Sequence, residues 1–192
     1  EEIANITKLY VGGENIADLS GIEHFTALKE LYCFDNQLTT LDVSKNTTLE
    51  LLSCYNNQLT TLDVSQNTAL QTLYCHENQL TTLDVSKNTA LQSLSCRENQ
   101  LTALKVSKDS PLTMLNCLSN QLSGEAMDAL VESMPVVADG RFMVLNALDA
   151  NEQNVITKTQ VAAAKAKGGS VMRLVGDIGE YENYEGFDHQ PD

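Results

Sequence analysis

The stretch CHENQLTTLDVSKNTALQSLSC, residues 75–96, sets a histidine and a glutamate directly after one cysteine and ends on another. These residue types could support two kinds of chemistry. A thiolate beside an imidazole is an activated nucleophile, and Cys, His and Glu in one cluster can hold a metal ion. Either would require Cys75 and His76 to leave the backbone on the same side.

Two other stretches invite a chemical reading. LDANEQNVITKTQ imitates a calcium loop counted from Asp149, with Asn151 and Gln153 following, Asn154 where glycine is usual, and Gln160 at the twelfth place. Only one of its side-chain ligands is charged, the twelfth residue offers no bidentate carboxylate, and the preceding segment reads as a strand. The expectation is therefore no metal and no cofactor. Asp42, Asp63 and Asp84 recur in one place and could suggest acid–base work, but Asp in a repeated turn more often bonds the local backbone. Three histidines in all, no nucleophile elbow, no HExxH and no phosphate-cradling glycine loop predict a protein that is not an enzyme.

The elements that carry these residues repeat. Cys33, Cys54, Cys75, Cys96 and Cys117 stand 21 residues apart, and the text around them recurs as LxxLxCxxNxLxxLxV, for example Leu70, Leu73, Cys75, Asn78, Leu80, Leu83 and Val85. A fixed period in the twenties predicts a solenoid. Alternation along Leu73-Tyr74-Cys75-His76 sends Leu73 and Cys75 inward and Tyr74 and His76 outward. Cys75 and His76 then face apart and cannot form a pair. The cysteines become an apolar column of inert thiols, and a disulfide between neighbours is disfavoured by side-by-side Cβ vectors. Asn36, Asn57, Asn78, Asn99 and Asn120 fall where the chain leaves each strand, as a buried amide column. Leu41, Leu62, Leu83 and Leu104 return to the core from the convex side.

This pattern resembles the leucine-rich repeat, with Cys in place of the third strand leucine, over roughly residues 6–122. The first unit, with its 22-residue step and Ile22–Phe25–Leu28 run, looks internalin-like, and similar arrays occur in surface proteins of gut anaerobic bacteria. The resemblance implies an α/β solenoid, a right-handed superhelix with a parallel concave sheet. It also implies an extracellular or cell-surface location. The chain opens on Glu1-Glu2 without a charged-then-apolar leader, so an export signal is expected to be absent or already removed.

The expected organisation is one domain over 1–192. It comprises a first repeat over 1–27, five repeats over 28–122, a βα C-terminal cap over 123–177 and an acidic tail over 178–192. In the cap, Ser123 is a candidate N-cap for a helix ending before Pro135, 140–148 and 170–175 read as strands, and 157–169 reads as a helix opened by a Thr157/Gln160 capping box. The tail reads as partly irregular, although its Tyr and Phe residues could fold back.

Within a frame that repeats, the columns that vary are informative. The outward strand positions read Glu30, Leu51, Thr72, Ser93, Met114; then Tyr32, Ser53, Tyr74, Ser95, Asn116; then Phe34, Tyr55, His76, Arg97, Leu118. An acidic or polar column, Asp35 to Ser119, runs beside them, while the invariant Gln37 to Gln121 reads as frame. Tyr32, Phe34, Tyr55, Tyr74, His76 and Arg97 form the candidate concave binding face, since Tyr and Arg are typical hot-spot residues. The competing reading is cross-strand packing. The net charge of −14 argues against nucleic acid or an anionic membrane as partner, so neither is expected. No apolar run approaches a membrane span. The predicted function is a non-catalytic module that binds protein, with a glycan-binding surface module or a structural spacer as alternatives.

Overall fold

The computed structural model describes residues 3–150, 152–176 and 180–186. Each repeat contributes one three-residue strand, because inward Leu and Cys positions alternate with outward polar or aromatic ones only over that short span. The strands are β1 (Lys8–Tyr10), β2 (Glu30–Tyr32), β3 (Leu51–Ser53), β4 (Thr72–Tyr74), β6 (Ser93–Ser95) and β8 (Met114–Asn116). They pair in parallel and in unbroken register, with Leu31, Leu52, Leu73, Leu94 and Leu115 aligned as one column. Two convex-side segments are also extended, β5 (Thr82–Asp84) and β7 (Ala103–Lys105), and pair in parallel with each other.

The cap follows as α1 (Gly124–Ser133), β9 (Gly140–Asn146), α2 (Lys158–Lys165) and β10 (Gly169–Gly176). Strand β9 adds to β8 and β10 to β9, both parallel, so βαβαβ units extend the same sheet. The result is a nine-stranded sheet in the order β1-β2-β3-β4-β6-β8-β9-β10-β11, whose last strand, β11, is Glu180–Asn183. Between β9 and β10, Phe142 is buried in space that Gly169 leaves open, since a Cβ there would lie 1.7 Å from its ring.

Helix α2 starts as its sequence signature requires: Thr157 accepts from the Gln160 amide and Gln160 accepts from the Thr157 amide at 2.8 Å. Helix α1 starts differently. Ser123 occupies the N-cap position, but its hydroxyl caps nothing. Gly124 enters in the left-handed region (φ 51), and the amides of Ala126 and Met127 turn to the Ser123 carbonyl instead. Part of the tail folds back on the cap. Glu180–Asn183 forms a regular strand, β11, antiparallel to β10. An Arg173–Glu182 ion pair crosses between them, and Tyr184 buries its ring beneath the Arg173 guanidinium. Residues 178–179 and 187–192 of the tail lie outside the described residues.

The core is one continuous aliphatic and thiol column. Leu28, Leu31, Cys33, Leu38, Leu49 and their counterparts in later repeats are fully buried, each contributing about 1.5–3 kcal/mol of transfer free energy. Two asparagine columns satisfy the turns around it. Asn57, Asn78, Asn99 and Asn120 each accept from a leucine amide of the preceding repeat and donate to the cysteine carbonyls on either side. A second column, Asn46, Asn67 and Asn88, bonds carbonyls of the convex turns and leaves its own Oδ1 atoms without hydrogen-bond partners.

Candidate protein-interaction face

The pleat places Tyr32, Phe34, Tyr55, Tyr74, His76 and Arg97 on the side of the sheet opposite the cysteine column. The structure brings five of them into one ring cluster. Phe34 and Tyr55 stack with centroids 4.6 Å apart and planes 4° from parallel. Tyr55 and His76 stack at 4.5 Å and 7°. These spacings match the separation of neighbouring strands, so rings at equivalent sites lie face to face. Tyr74 meets His76 edge-on at 6.4 Å.

Arg97 occupies the next site of the same row. Its guanidinium bonds Glu77 at 2.7 Å and also pairs with Glu98. At the other end of the row Lys8 meets Glu30 at 2.8 Å. His76 sits between the ring stack and the Arg97 network. Burial, with the Arg97 charge, lowers its pKa to about 4, and its Nδ1 is buried without a hydrogen-bond partner. It is a neutral ring at pH 7.

The face begins one strand earlier than expected. Lys8 and Tyr10 align with Glu30 and Tyr32. Tyr10 is 62% exposed, packs on Tyr32 at 5.6 Å and meets Phe34 edge-on at 5.5 Å. The signal was present in the Leu-Tyr pairs at 9–10, 31–32 and 73–74, but the 22-residue step of the first unit hides it from a 21-residue alignment. Gly12 makes room for the row, because a Cβ there would lie 2.9 Å from the Phe34 ring.

Other outward sites differ. Leu118 is buried, next to the point where Glu152 of the cap accepts the Ser119 and Asn146 amides. Ser53 and Ser95 are buried too; Ser53 aligns between Tyr32 and Tyr74. The acidic and polar column has a backbone cause. Asp35, Asn56, Glu77, Glu98 and Ser119 all adopt φ of 49–54°, a region that Asp and Asn enter most readily. The invariant glutamines serve the frame through their backbone amides, each bonded to the preceding repeat, while their side chains are exposed.

The chemical look-alikes resolve into structure. The five cysteines are free and buried; burial raises Cys33 and Cys75 to about 12 and the other three above the ordinary thiol range. Asp42 and Asp63 accept the Ser44 and Ser65 amides at 2.9 and 2.8 Å, which holds both carboxyls below their usual range; Asp84 accepts the Ser86 amide at 2.8 Å. In the calcium look-alike, Gln160 already bonds Thr157 and Asp128, and the Gln153 amide bonds the Asn120 carbonyl. The Asp149 amide bonds Asn146, and Asn151 lies outside the described residues. Among the described residues no group of three His, Cys, Asp or Glu is arranged to hold a metal.

That loop instead carries two residues that sequence reasoning missed. Asn154 continues the asparagine column: it accepts the Leu122 amide at 2.8 Å and donates to the Cys117 and Val144 carbonyls. Glu152 accepts the Ser119 and Asn146 amides through Oε2 and the Asn154 amide through Oε1. Burial pushes its carboxyl upward, only partly offset by those amides. The available signal was Asn154-Val155-Ile156-Thr157, which copies Asn78-Gln79-Leu80-Thr81 away from the period.

Stacked parallel strands with buried asparagine columns and variable outward rows define a leucine-rich-repeat solenoid. No protein-family model matches the chain. Internalin J of Listeria monocytogenes serotype 4b (strain F2365) is 47% identical over 47 residues, which are 24% of this chain and 5% of that protein. Among solved structures, the Leptospira interrogans LRR protein LIC12759 superposes with a TM-score of 0.60 at 26% identity, over 78% of this chain and 38% of that one. An internalin, inlF, from Listeria monocytogenes str. 4b F2365 gives 0.62 at 23% identity, over 85% and 47%. The chain thus spans less than half the length of each of these proteins. It has the leucine-rich-repeat fold, and part of its array is similar to that of internalin J.

Proposed function

We propose that this chain is a non-catalytic recognition module that binds a protein partner through the concave ring row from Tyr10 to Arg97. The observation that carries this reading is the order of that row. Tyr10, Tyr32, Phe34, Tyr55, His76 and Tyr74 are held by contacts with one another, while no core position demands aromatics there. Rings already fixed lose little entropy on binding, and Tyr and Arg are the types that dominate interface energetics.

The same geometry favours protein over glycan. Phe34 and His76 cover the two faces of Tyr55, so a sugar has no free face there on which to stack. The row offers ring edges, hydroxyls and charged rims, which suit side chains and backbone amides. No helix among the described residues is long and apolar enough to cross a membrane. The resemblance to internalins supports a place outside the cell or on its surface.

The test is capture from extracellular protein and glycan panels by the parent and by a Tyr55→Ala/Tyr74→Ala/Arg97→Ala variant that keeps the parent far-UV spectrum. Capture of one protein by the parent, lost in the variant, supports the reading. Capture of sugars alone, or equal capture by both chains, overturns it.

A further inference from the structure

The repeat frame changes on the convex side, beside α1. In three successive units an exposed aspartate accepts the backbone amide two residues on: Asp42 from Ser44 at 2.9 Å, Asp63 from Ser65 and Asp84 from Ser86 at 2.8 Å. The next unit has Lys105 at the aspartate site and Ser107 two residues later. Ser107 is 5% exposed. Its hydroxyl accepts the Asp109 amide and its carbonyl accepts from Ser110, yet its own amide has no acceptor among the described residues. A buried amide without a partner is rare. The neighbouring Val106 amide does have one, the Ser133 hydroxyl of α1 at 3.2 Å.

Two cations flank that amide. Lys105 forms no ion pair among the described residues, and Asp84, opposite it in the ladder, is committed to Ser86. Lys108 reaches Glu132 only at 3.6 Å, with both side chains well exposed, a pairing of little weight. Both lysines line a groove of about 610 Å³ between the last repeat and α1. Its other surfaces are small and apolar: Ala126 and Ala129 of α1, and Ala103, where the three earlier units have Thr40, Thr61 and Thr82. That volume is in the range of ligand clefts and exceeds what one carboxylate needs. Every residue lining it lies between 82 and 133, inside the chain.

We propose that this groove binds an acidic segment of a protein partner. One Asp or Glu side chain of that segment takes the place on the Ser107 amide that the repeat's own aspartate takes in the earlier units. Lys105 and Lys108 make the bond charge-assisted. Apolar residues beside the acid lie against Ala103, Ala126 and Ala129, a surface that a small free carboxylate would leave unused. The site is on the convex side and does not depend on the concave ring row.

The test is selection of a random heptapeptide library on the parent and on Lys105→Asp. That substitution restores the Leu-Asp-Val-Ser text of the earlier units, so it gives the Ser107 amide an internal carboxylate and keeps the frame. Peptides taken by the parent are expected to include a set with Asp or Glu beside apolar residues that binds Lys105→Asp at least about tenfold more weakly. These peptides should move the Ser107 amide proton downfield in nitrogen–proton correlation spectra of the parent. They should bind the Tyr55→Ala/Tyr74→Ala/Arg97→Ala variant as they bind the parent, which separates this site from the ring row. A library that yields no acidic peptide sensitive to Lys105→Asp overturns the proposal, as does a Ser107 amide that no selected peptide moves. Acetate that shifts Ser107 as strongly as the best peptide would also overturn it, leaving a site for small carboxylates. So would a Lys105 amine protected from acetylation in the free chain, because the chain's own residues would then fill the groove.

Discussion

The imidazole of His76 lies 4.5 Å from the ring of Tyr55 and 7° from parallel to it, with Arg97 at the next site along the row. A protonated imidazole would sit half-buried beside a guanidinium. The folded chain therefore holds His76 neutral down to about pH 4, against an ordinary value of 6.5. Between these values the unfolded chain binds the additional proton, so stability falls as pH drops through that window and levels off below it. After discounting for solvent around a half-exposed ring, the loss is about 1–2 kcal/mol. Denaturant unfolding from pH 7 to 4 should show it in the parent, and His76→Phe should lose that component. An identical pH profile for both chains would refute the assignment.

Gly12 is the small residue on which the ring row rests. Gly12→Ala should displace Phe34 and, through it, Tyr55, at a cost of about 1–3 kcal/mol for an overpacked site. Near-UV circular dichroism should change while the far-UV spectrum does not. An unchanged near-UV spectrum would mean that the ring moves aside freely.

The asparagine columns should not be equivalent. Asn78→Ala strands the Leu59 amide and bonds to the Cys54 and Cys75 carbonyls, all buried, and should cost about 3 kcal/mol. Asn88→Ala gives up two carbonyl contacts and removes an oxygen that had no partner, so its cost should be smaller. Equal midpoint shifts in urea would contradict this ranking.

The thiols should be silent in the native state. With all five buried and their pKa values raised, iodoacetamide at pH 8 should label none of them quickly. Mass spectrometry should count five adducts after unfolding in guanidinium. One rapidly labelled native cysteine would show that the column opens locally.

Glu152 ties the last repeat to the cap through three backbone amides. Glu152→Gln keeps the shape but turns an NH2 group towards one of those donors. The expected cost is about 1–3 kcal/mol, with α1 and β9 losing exchange protection before the repeats do. Uniform loss along the chain would argue against a local joint.

Much of this molecule is legible in its sequence because each unit must satisfy the same local conditions. A residue such as Leu73 or Cys75 faces inward by pleat alone, and Asn78 recurs because every turn has the same unpaired groups. Period and face assignment therefore follow from the text, as do the capping box at Thr157 and the inertness of Cys75 beside His76. The tertiary structure decided whatever depends on neighbours that the period does not name. It stacked Phe34, Tyr55 and His76, since ring planes depend on strand spacing and on the space over Gly12. It added Tyr10 across a longer step and buried Leu118 next to the cap. It also drew Asn154 and Glu152 from a calcium-like stretch into the frame. A repeat fixes what each residue sees within its own turn; only the stacked chain fixes what it sees in the next.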